Sequence, residues 1–158
     1  MQQGLTMAIE APVSKYRKTN LKIYIAACVV VTIWLGYDGY FNKKFIEKNT
    51  EDGKPNGTLV FNQKAPPFVA GAAVLLGVYL LAIRNKKLIA DENELIISDK
   101  ERITYDSIQK IDKTNFKPKG YFLITYKDKN DREVQRMISD KKYGNLEAVL
   151  DHMVAQIS

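Results

Sequence analysis

Hydrophobic and polar positions follow three regimes along this chain. Residues 1–20 hold few large apolar side chains and end in the basic cluster Lys15, Arg17 and Lys18, which predicts a polar tail, extended or bound to a partner. Residues 21–41, LKIYIAACVVVTIWLGYDGYF, carry charge only at Lys22 and Asp38, and residues 65–83, APPFVAGAAVLLGVYLLAI, carry none between Lys64 and Arg84. A helix over the second run is about 28 Å long at ~1.5 Å per residue, close to the ~30 Å of bilayer hydrocarbon. Both runs therefore read as membrane-spanning helices, 21–41 and 65–84. Tyr24 at one margin and Trp34, Tyr37, Tyr40 and Phe41 at the other suit the interface. Pro66 and Pro67 are placed to open the second helix, where a missing N–H is harmless.

The two runs form a hairpin over 21–85 with a loop at 42–64. That loop starts with NKKFIEKN, which can continue the first helix, breaks at the turn-forming 52–57, and holds a short strand-like piece at 58–61. From residue 86 to 158 the pattern becomes alternating. Residues 88–90 and 94–97 read as a hairpin about a polar turn, 102–104 and 108–114 as short strands, and 121–126 with 132–138 as a second hairpin. The period then changes: Leu146, Val149, Leu150, Met153, Val154 and Ile157 lie on one face of an amphipathic helix, with Asn145 suited to its N-cap. The fold class expected is a membrane α-helical hairpin plus a small, mostly-β α+β barrel closed by a C-terminal helix.

The succession ENELIIS, ITYDSIQKI, GYFLITYKDKNDREVQRMI and a terminal helix resembles the pleckstrin-homology-like (PH-like) domains of small bacterial membrane proteins. In that family a segment of the type Ile-Pro-Tyr-x-x-Ile marks a turn between two strands. Ile103-Thr104-Tyr105-Asp106-Ser107-Ile108 matches it, with threonine in place of proline. The resemblance covers about residues 86–157 and implies a PH-like barrel. It also leaves the domain one strand short, either missing or supplied by the linker at Lys86 and Lys87. Phosphoinositide-reading members use basic residues around the first hairpin turn, and residues 91–94 here are acidic.

Charge refines this picture. Residues 1–87 hold twelve Lys+Arg against five Asp+Glu, net +7, whereas residues 88–158 hold twelve against thirteen, net −1. The basic excess lies beside the apolar runs, where anionic headgroups would be, and the second half lacks the footprint of a nucleic-acid-binding domain. With two spans, seven cations flank the terminal side and five lie in the loop, which favours cytoplasmic N- and C-termini in the inner (plasma) membrane. The first run is long for a signal peptide and no small-x-small site follows it before Asn42, so it is read as retained. Cys28 forms no intramolecular disulfide; after Ile25-Ala26-Ala27 it resembles a lipobox, but the preceding apolar stretch is short and broken by Lys22, so it reads as a small thiol facing a helix.

Candidate functional residues are few. Cys28, Thr32 and Gly36, recurring every four residues, form a ridge of small side chains, and Ala73 and Gly77 make a small-xxx-small pair with Gly71 and Ala72 close by, where helices can approach each other or another subunit. Asp38, among tyrosines, reads as a helix-end carboxylate rather than a pore acid. Lys113, Lys117 and Lys119 are candidates for contact with anionic lipid. His152 has no second His or Cys with which to form a metal set and reads as an exposed helix residue. No nucleophile elbow and no phosphate-cradling glycine loop is present. The sequence therefore predicts no enzyme and no cofactor. It predicts a non-catalytic accessory or scaffold subunit, with membrane lipid and other membrane subunits or further copies of itself as partners. An anionic-lipid sensor is the alternative, and a small oligomeric channel a third.

Overall fold

The structure, a computed structural model, describes residues 8–157. In chain order the elements are β1 (Ile9–Pro12), α1 (Lys15–Tyr40), α2 (Lys43–Lys48), β2 (Thr50–Glu51), β3 (Lys54–Pro55), α3 (Gly57–Ile83), β4 (Lys87–Ala90), β5 (Glu94–Ser98), β6 (Glu101–Thr104), a 3₁₀ turn (Tyr105–Ser107), β7 (Ile108–Asp112), α4 (Phe116–Lys119), β8 (Tyr121–Lys127), β9 (Glu133–Ser139) and α5 (Leu146–Ile157). They form two compact units. One takes the chain up to Lys18 and again from Ile83 onward, and the other takes Thr19–Ala82.

In the helical unit, α1 and α3 are 26 and 27 residues long and apolar enough to cross a membrane. Large side chains such as Ile33, Trp34, Phe68 and Leu75 point away from the protein, Phe68 at 79% exposure. α3 begins eight residues before the expected 65, because Asn56 caps it: its Oδ1 accepts the N–H groups of Thr58 and Leu59, both at 3.1 Å. The expected strand at 58–61 is thus the first turn of this helix, and Pro66 and Pro67 lie inside it instead of opening it. An interior proline removes the hydrogen bond to the carbonyl four residues back, here those of Asn62 and Gln63. α1 meets both. Tyr40 O–H donates to the Gln63 carbonyl at 2.7 Å, and the Asn62 carbonyl lies so close to Gly39 that a Cβ there would stand 2.7 Å from its oxygen. Gln63 Nε2 returns a bond to the Gly39 carbonyl at 3.1 Å. Beyond, α2 and the two-residue strands β2 and β3 fill the connection. They turn at Asp52 and Gly53, both at positive φ as a two-residue hairpin turn requires.

The other unit is built of two antiparallel sheets, β1-β4-β5-β6 and β7-β8-β9, with α5 packed on β1, β4 and the 3₁₀ turn. The hairpin β4-β5 and the hairpin β8-β9 fall where the alternation places them. The first strand does not. Ile9–Pro12, within the segment read as a polar tail, pairs with β4 in the register Ile9↔Ala90, Glu10↔Ile89, Ala11↔Leu88, Pro12↔Lys87. A strand from the N-terminal side of the helices thus joins the sheet beside Lys87 and its neighbours, with Ala11 fully buried in the core and Ile9 packed against it. That core is Leu88, Ala90, Leu95, Ile103, Phe122, Ile124 and Ile138 of the strands against Leu146, Val149, Leu150 and Met153 of α5. Asn145 stands just before α5, its carbonyl accepting the Val149 N–H at 3.4 Å; it sits at φ +55°, and its Nδ2 donates to the Glu10 carbonyl of β1 at 3.1 Å.

The chain passes between the units twice, so the whole helical unit is an insertion in the connection between two neighbouring strands, β1 and β4.

Candidate functional site

The 103–108 segment turns out to be a bracket. Tyr105 is 6% exposed, its N–H bonds to the Asn93 carbonyl at 2.9 Å, and its O–H donates to the Asp91 carbonyl at 2.9 Å. Burial, with Asp91 and Glu94 nearby, pushes its phenol up to about 12. His152 reaches the same carbonyl through Nε2 at 3.0 Å, which makes that nitrogen the protonated one. It is half-buried and tied to the β4-β5 turn, in contrast to the exposed helix residue expected. Tyr105 and His152 together fasten that turn to α5, a structural use of the chain's only histidine.

Alongside, α5 and the second sheet leave a trough. Its wider part, about 540 Å³, is lined by Lys113, Phe116 and Lys117 on one side and Glu147, Leu150 and Val154 on the other. A narrower part of about 180 Å³ runs against β7, between Ile108, Ile111 and Ile157, and shares Val154 with the first. β7 is an outer strand of its sheet, so along it every other N–H and C=O faces outward. Apolar floor, charged rims of both signs and a strand edge alongside suit an extended peptide segment better than a small polar ligand.

The three candidate lysines are divided between this trough and a neighbouring hollow. Lys113 and Lys117 line the first together with the carboxylates of Glu147 and Asp151; Lys117 and Lys119 line the second with Asp140. Each pair therefore shares its hollow with acids.

On the helices, the less exposed positions recur in steps of three and four: Leu21, Ile25, Cys28, Thr32, Leu35 and Gly39 on α1, and Leu59, Asn62, Pro66, Val69, Ala73, Leu76 and Leu80 on α3. Such stripes are the 3.5-residue seams of antiparallel helix pairs. Of the small residues singled out from sequence, Cys28, Thr32 and Ala73 lie on the stripes. Gly36 and Gly77 lie beside them with open space where a Cβ would go, and Gly71 is exposed. The Thr32 hydroxyl is satisfied within its own helix by the Cys28 carbonyl at 2.8 Å. The glycine of close approach is Gly39, which the ridge of small side chains misses; the interior prolines opposite it were the available signal. Asp38 accepts from Asn42 Nδ2 at 2.8 Å, and Asn42 in turn caps α2. Among the described residues no group of three or more His, Cys, Asp or Glu could hold a metal ion. Compared with protein families, curated proteins and solved structures, the chain matches none.

Proposed function

We propose that this chain is a two-span membrane protein whose helices carry a PH-like domain, and that it serves as a non-catalytic accessory or scaffold subunit binding a partner segment in the trough between β7 and α5. The anchor reading is supported by the apolar side chains exposed around α1 and α3, a surface that water disfavours and lipid accepts. It is supported as well by the Gln63 carbonyl that Pro67 releases and Tyr40 takes up, since proline inside a spanning helix is tolerated where a neighbouring helix engages the freed group. The PH-like reading draws on the four-plus-three strand arrangement closed by α5, in which β1 completes a domain that the resemblance left one strand short.

The observation that carries the interaction is the trough itself: Leu150, Val154 and Phe116 form an apolar floor beside the outer strand β7. A partner segment adding to β7 would gain main-chain hydrogen bonds from the strand and side-chain burial from the floor. In the bacterial inner membrane, with both termini cytoplasmic, the trough would meet cytoplasmic segments of other subunits. Extraction of native membranes in mild detergent should bring the chain out in a complex of defined size, and Val154→Glu should release it while circular dichroism of the purified variant stays unchanged. Recovery of the unaltered chain as an isolated monomer would contradict the scaffold role.

A further inference from the structure

Cations from separate stretches of the chain converge where β1 hands over to α1. Val13 N–H donates to the Lys86 carbonyl at 3.2 Å and Ser14 N–H to the Lys142 carbonyl at 3.1 Å. Ser14 Oγ donates to the Lys141 carbonyl at 2.5 Å and accepts the Arg17 N–H at 3.2 Å. Two successive backbone groups thus bring Lys86 and Lys142 to the same corner, and the first turn of α1 brings Arg17. Arg136 of β9 adjoins them, since it acts electrostatically on Lys142. Glu101 pairs with Arg136 at 2.7 Å and is the acid that acts on Lys142, against the cations Arg136, Arg17 and Lys86. Crowding shows in Lys142, whose ammonium is held below its usual range by burial first and by Arg136 and Arg17 next, with Glu101 opposing. Such a corner favours a counter-anion.

The position of the corner in the chain narrows which anion. Arg17 precedes the apolar run of α1 by a few residues, and Lys86 follows the end of α3 at Ile83. With the two helices as spans, a reading on which this inference rests, these residues fall at headgroup depth. Lys142 is remote from both in sequence and reaches the corner only through the fold. We propose that Arg17, Lys86 and Lys142 bind the phosphate of an anionic phospholipid headgroup. The site differs from the trough and from Lys113, Lys117 and Lys119, and it requires the pairing of β1 with the rest of its sheet.

The test uses the full chain in detergent, titrated with phosphatidylglycerol or phosphatidylcholine and read by native mass spectrometry. One phosphatidylglycerol should be retained in preference to phosphatidylcholine. Lys86→Gln with Lys142→Gln should weaken it roughly five-fold per lysine, Lys86→Arg with Lys142→Arg should keep it, and Lys113→Gln with Lys117→Gln should leave it unchanged. Equal retention of the two lipids, or full retention by the double glutamine variant, would overturn the site. Release of the lipid by millimolar inorganic phosphate would assign the corner to free phosphate and overturn the lipid. Flotation with phosphatidylcholine vesicles reads the spans separately: a chain that floats without headgroup preference refutes the site alone, and one that fails to float refutes the spans beneath it.

Discussion

At the scale of single residues, two positions carry more than their size suggests. Tyr105 joins the 3₁₀ turn to the β4-β5 turn through one hydroxyl. Its phenol is raised from 10.0 to about 12, so the fold favours the protonated form. The stability this adds is complete below pH 10 and is lost as pH rises toward 12. Tyr105→Phe should cost about 1 kcal/mol at neutral pH and remove that part of the alkaline decline, measured by denaturant unfolding across the alkaline range; an unchanged alkaline profile would contradict the assignment. Gly39 is the second. A methyl there meets the Asn62 backbone at 2.7 Å, whereas at Gly36 it meets nothing within 4 Å. Gly39→Ala should lower the stability of the helical hairpin by roughly 1–3 kcal/mol, and Gly36→Ala should not, as read by detergent-denaturation titration. Equal effects would mean that the helices do not meet there.

At the scale of elements, the sequence displays best what one side chain period governs. Alternation located β4, β5, β8 and β9, and the stripe Leu146, Val149, Leu150, Met153 located α5, because each of these elements buries its own apolar set. The two apolar helices were legible for the same reason, through length and absence of charge. β1 was not legible: among its four residues only Ala11 is fully buried, and the strand exists because β4 supplies its hydrogen bonds. The start of α3 was hidden by proline chemistry, since Pro66 and Pro67 signal a first turn unless a neighbouring helix engages the carbonyls they free. Of the trough, the α5 side could be read from the helical period, but its opposite wall depends on α4, a four-residue helix ended by Gly120 at φ +72° that no pattern announces. The cationic corner could not be read at all, because Lys142 and Arg17 meet only after β1 pairs.

At the scale of the molecule, the helical unit is inserted between two paired strands of the other unit. A domain tethered by one chain end can swivel on its linker. Here the helices leave from β1 and return into β4, strands held side by side by backbone hydrogen bonds. A subunit that must hold a partner segment at the membrane surface would benefit from that double attachment. Its most direct test is a cross-link. In a Cys28→Ser background, Glu10→Cys and Ile89→Cys place two thiols at directly opposed positions of β1 and β4, where a Cα separation of about 5 Å permits a disulfide. Mild oxidation of the full chain in membranes should close that bond within one chain, seen as a mobility shift reversed by reductant, while Glu10→Cys with Arg102→Cys, on β6 three strands away, should not. Absence of the first cross-link, or equal formation of the second, would contradict the inserted-hairpin architecture on which the proposed function and the lipid site both depend.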